Sequence, residues 1–167
     1  MRQKIIIVDN FLDEPLTYKN SNQLGPTEEI SNKISHILQF NTSIIPAAIN
    51  IPETEITANY NFDYIGILYL DFPTECVNKT GVSFWIHKET QDEELPNQTK
   101  MKWMGLQSME EVEKSYDVSK KENWESYMNY FVKYNRLILF DARLFHSYGN
   151  ESDCRKFLIE IQKLNNQ

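Results

Sequence analysis

The sequence predicts a mainly β domain of the α+β class, a sandwich or barrel of two sheets with N-terminal helices packed on one of them. Three observations predict it. An early amphipathic stripe at Ile30, Ile34, Ile37 and Leu38 has helical spacing. From Ile44 onward that period disappears, and short β-rich runs replace it. Turn residues such as Asp71-Phe72-Pro73 and Gly149-Asn150 separate the runs. Helices first and many strands afterwards is the order expected when helices cover the outside of a sheet.

Taken in order, Ile5 to Val8 reads as a buried strand, and Asp13-Glu14-Pro15 as a helix start, with Asp13 able to cap and Pro15 tolerated in the first turn. Thr27 is the expected N-cap of the striped helix, and His36 falls off the stripe, toward solvent. The expected strands are Ile65–Leu70, Val82–Ile86, Leu137–Phe140 and Phe157–Ile161. A long insertion, about 88–133, interrupts them. Within it Ser108-Met109-Glu110-Glu111 and Ser119-Lys120-Lys121-Glu122 match the capping box, so a short helix is expected after each. Trp103, Met104, Trp124, Tyr127 and Tyr130 give the insertion apolar surface, either as a lid over a pocket or as a flap covering a sheet. The chain is expected to be one domain over 1–167, with an N-terminal strand and helices over 1–50 and a β core over 51–167.

The bulk properties exclude several classes. A net charge of −7 repels phosphate backbones, so no nucleic acid is expected as a partner. No apolar run approaches a membrane span or a signal-peptide core, which leads to an expected cytoplasmic location. Cys76 and Cys154 lack metal-ligand spacing and read as ordinary thiols of a reducing compartment. The 16 Asn and 17 Ile suggest an AT-rich coding genome, bacterial or phage.

Four pieces in the second half carry a resemblance. They are Tyr64–Leu70, Gly81-Val82-Ser83-Phe84-Trp85-Ile86-His87, the pair Tyr134–Asp141 and Leu144-Phe145-His146-Ser147, and a final strand opened by Arg155 nine residues after His146. Together they resemble the core of the prolyl-hydroxylase-like 2-oxoglutarate/Fe(II) oxygenases. The resemblance implies a double-stranded β-helix, the jelly-roll or cupin-like fold. It also implies Fe(II) and 2-oxoglutarate as possible cofactors. In that pattern His146 is the distal metal ligand, and Arg155 and Tyr69 bind the co-substrate, Arg155 gripping its carboxylate.

The pattern's first metal motif, His-x-Asp, falls on Thr57-Ala58-Asn59. A hydroxyl and a neutral amide are poor Fe(II) ligands and supply no charge to offset the cation. Two function classes follow. One is a non-canonical or inactive hydroxylase-type protein that binds a small molecule, peptide or partner in the barrel. The other is an active dioxygenase with a rebuilt site, His146 with Asp63, His87 or both. His87 alternates in phase with Ser83 and Trp85, and the sequence leaves open which face that is.

Overall fold

A computed structural model describes residues 4–20, 28–47, 55–75, 80–149 and 156–164. Strand β1 (Ile5–Asp9) precedes helices α1 (Pro15–Asn20) and α2 (Glu28–Leu38). Strands β2 (Thr42–Ala47), β3 (Tyr64–Tyr69) and β4 (Thr80–His87) follow. Two short helices, α3 (Gln98–Trp103) and α4 (Met109–Ser115), lead into β5 (Trp124–Phe131), β6 (Arg136–Asp141), β7 (His146–Tyr148) and β8 (Lys156–Lys163). The large sheet has the order β1-β6-β3-β8-β2 and the small one β5-β4-β7, with every pairing antiparallel. Thr57 bridges to His146, which adds the segment around it to the free side of β7. Counted with that segment, the chain from β2 onward passes between sheets in a winding consistent with a jelly roll.

Packing explains this arrangement. Between the sheets lie Ile65, Ile67, Tyr69, Val82, Phe84, Ile138, Phe140, Tyr148 and Leu158. On the outside of the large sheet Leu68, Leu137, Leu139, Ile159 and Ile161 meet Ile30, Ile34 and Leu38 of α2. Both faces of β3 are therefore buried, which is why it reads as a continuous apolar run rather than an alternating one. His36 is exposed, as its place off the stripe implies.

A third cluster covers the outside of the small sheet: Ile56, Leu95, Val112, Tyr116, Trp124 and Phe145. The insertion thus covers a sheet face. It is also shorter than expected, because 124–131 is a strand of the small sheet. Ser108 caps α4 through its side chain as its motif implies, accepting from the Glu111 amide at 3.2 Å. The second motif gives only a three-residue 3-10 turn, Lys121–Asn123, with no side-chain cap.

Tight backbone approaches fix the frame. Gly81 is buried where a Cβ would lie 2.7 Å from both the Tyr130 carbonyl oxygen and the Tyr69 hydroxyl, so only glycine fits without displacement. Asn135 turns between β5 and β6 at φ 56°, a left-handed conformation that asparagine tolerates. Its side chain clamps Leu12, accepting from that amide at 2.9 Å and donating to that carbonyl at 2.8 Å. Among the described residues no helix is long and apolar enough to cross a membrane. Thr27, Cys76, Cys154 and Arg155 lie outside the described residues.

Candidate functional site

His146 opens β7 and projects between the sheets, where it is fully buried. Its ring packs against Phe140, with centroids 4.7 Å apart, and against Tyr148 at 5.2 Å. Nδ1 lies 2.8 Å from the Leu144 carbonyl oxygen and Nε2 lies 3.1 Å from the Tyr148 hydroxyl. A carbonyl can only accept, so Nδ1 carries the hydrogen and donates it. Burial lowers the pKa of the imidazole from 6.5 to about 4, so it is neutral near pH 7. Nε2 therefore holds a lone pair, and the Tyr148 hydroxyl donates to it. Burial first, and the charge of Glu160 second, push that hydroxyl well above the usual tyrosine range.

Thr57 and His146 form a doubly hydrogen-bonded antiparallel pair, amide to carbonyl at 2.7 and 2.9 Å. Directly opposed residues point to the same side of a sheet, so Thr57 is the neighbour that a first ligand beside His146 would have. Asn59 is tied down by its backbone, which donates to the Ala142 carbonyl at 2.7 Å. Its side-chain oxygen accepts from the Asn61 amide at 2.7 Å, which closes a local turn.

The other candidate ligands point elsewhere. Asp63 accepts from the Lys163 amide at 2.8 Å and so turns toward the end of β8. His87 is buried on the outer face of the small sheet, its ring 5.3 Å from Tyr116 and 5.0 Å from Trp124. Its Nδ1 lies 3.1 Å from the Thr90 hydroxyl. Trp85, in phase with it, donates from the same outer face to Ser147 at 2.9 Å. Neither residue joins His146. Among the described residues no three His, Cys, Asp or Glu side chains gather as a metal-holding group. One imidazole with an engaged lone pair, one hydroxyl and one turn-bound amide do not fit a non-haem iron centre.

Two inner-face residues were not singled out from the sequence. Lys156 pairs with Tyr69 across β8 and β3, and its ammonium is buried. Glu160 pairs with Ile65 of the inter-sheet core, and burial raises its carboxyl pKa. The available signal was the alternation of β8. Phe157, Ile159 and Ile161 form its helix-facing row, which leaves Lys156, Leu158 and Glu160 for the interior.

The sequence profile of DUF6445, a family of unknown function, matches residues 58–151, more than half of the chain. The chain belongs to the DUF6445 family. The matched stretch holds Asn59, His87, His146 and Tyr148, while Thr57 lies just ahead of it. No curated protein matches the chain. Two solved structures similar to it share its fold at low identity. One is an N-substituted L-amino acid dioxygenase from Burkholderia ambifaria AMMD in complex with alpha-ketoglutarate. It is 11% identical with a TM-score of 0.46, over 95% of this chain and 81% of that one. Another is HygX from Streptomyces hygroscopicus with iron bound, 9% identical with a TM-score of 0.41, over 97% and 83% of the two chains.

Proposed function

We propose that this DUF6445 chain is an oxygenase-like protein that has exchanged iron chemistry for binding. The observation that carries the reading is the commitment of both His146 nitrogens, one donating to Leu144 and the other accepting from Tyr148. A metal at Nε2 would have to displace a buried hydroxyl, and the positions of the first motif offer it Thr57 and Asn59. Neither brings the charge or donor strength of an imidazole and a carboxylate.

The competing reading, an active dioxygenase rebuilt on His146 with Asp63 or His87, lacks geometric support because those side chains face other elements. Binding between the sheets near His146 has little room, since large apolar side chains fill that space. A small ligand or partner segment is better accommodated outside the small sheet.

Anaerobic calorimetry with Fe(II) tests the reading. The wild type should show no stoichiometric uptake and should not decarboxylate 2-oxoglutarate. The triple variant Thr57→His, Asn59→Asp, Tyr148→Phe should gain measurable iron affinity, because it restores two ligands and frees Nε2. Tight stoichiometric iron in the wild type overturns the proposal.

A further inference from the structure

The Thr57 segment has a second side. Away from the barrel it forms one wall of a cleft of about 290 Å³, closed opposite by α4 and the residues that follow it. Ile56, Leu95 and Val118 supply aliphatic walls, and the rings of Tyr116 and Phe145 line it with centroids 5.2 Å apart. Glu113 supplies the carboxylate.

Three features define what this cleft suits. First, the Tyr116 ring is rigidly placed, because its hydroxyl donates to Asp92 at 2.6 Å. Asp92 is itself held by Lys100, so its charge is answered within the protein. Second, Glu113 has no ion-pair partner among the described residues, whereas its neighbour Glu110 pairs with Lys114 at 2.7 Å and Glu111 accepts from the Gln107 amide at 2.5 Å. Third, aromatic faces attract cations and repel anions through their quadrupole. An apolar cleft with two rings and one unanswered carboxylate is complementary to a short alkyl chain ending in a positive charge.

We propose that this cleft binds an alkylammonium group, its chain against Ile56, Leu95 and Val118 and its charge toward Glu113. The volume suits a chain of roughly four to six carbons, at the small end of ligand pockets. The cleft lies on the opposite side of the small sheet from the His146 imidazole, so the proposal stands or falls independently of the iron question.

The test is a titration of the full chain with n-butylammonium, followed by NMR shifts of the Ile56 and Val118 methyl groups. Butylammonium should shift both, and pentanoate, similar in length but anionic, should shift neither. Glu113→Gln, an exposed change that leaves the fold intact, should weaken butylammonium about three- to fivefold, as a partly solvated charge pair does. Val118→Trp, which fills the cleft from a half-exposed position, should abolish binding while thermal unfolding confirms a folded protein. Absent methyl shifts, equal binding of pentanoate, or a Glu113→Gln protein with unchanged affinity each overturn the proposal. A parallel titration with Nα-acetyl-lysine N-methylamide separates the two sources of such a group. Tighter binding than butylammonium assigns the cleft to a partner's lysine side chain, and weaker binding assigns it to a free amine.

Discussion

The Tyr148 hydroxyl lies 3.1 Å from Nε2 of His146, two residues away on the same face of one three-residue strand. Strand geometry puts residues i and i+2 side by side, so the pair needs no distant support. Removing the hydroxyl by Tyr148→Phe leaves the imidazole lone pair buried without a donor. The expected loss is about 1–3 kcal/mol in chemical denaturation, the usual cost of one unsatisfied buried polar atom. An unchanged midpoint would show that the bond contributes nothing net.

Acid should destabilise the protein earlier than carboxylates alone would dictate. His146 titrates near 4 when folded and near 6.5 when unfolded. Between those values the unfolded chain takes up a proton that the folded chain refuses, so stability falls as pH drops through this window and is complete above it. The size is about 3 kcal/mol for a shift of this order. Denaturant midpoints measured from pH 7.5 to 4 should show the decline, and His146→Phe should flatten it even if that variant is less stable overall.

Gly81→Ala should be strongly destabilising, by roughly 1–3 kcal/mol or more, because the added methyl meets Tyr130 and Tyr69 at once. Combining it with Tyr69→Phe removes the hydroxyl contact but not the carbonyl contact. The double variant should therefore recover only part of the loss relative to Tyr69→Phe alone. Full recovery would mean that the backbone of β5 yields easily.

Asn135→Ala removes both hydrogen bonds to Leu12 and places a less tolerant residue at a left-handed turn. A loss of about 2–4 kcal/mol is expected from two buried bonds with an added backbone term. Asn135→Gly keeps the turn and loses only the bonds. It should fall between the wild type and alanine in thermal unfolding, and the reverse order would argue that the turn conformation is unimportant.

The two-sheet architecture was legible because its signals are local. The stripe of α2, the apolar runs of β3, β4, β6 and β8, and the Ser108 cap each announce themselves within a few residues. The strand 124–131 was not assigned, because its buried and exposed residues alternate around a register shift opposite Phe84 and Trp85 and a capping motif stands just before it. The backbone pairing of Thr57 with His146 was not assigned, because the resemblance only put Thr57 at a metal-motif position. The role of Tyr148 was not assigned either, since nothing in a His-Ser-Tyr triplet states that its outer members share a buried bond. The facing of His87 was left open for the same reason: both faces of β4 are covered, so hydrophobicity does not say which is interior.

Phe145 and His146 are consecutive, yet one ring belongs to the cluster beneath the insertion and the other to the space between the sheets. The small sheet is therefore a partition one peptide thick, with a cleft on one side and a locked imidazole on the other. Anything that settles against Phe145 presses on the backbone that orients His146, so occupancy of the outer chamber should be readable as a change in the imidazole resonances of the inner one.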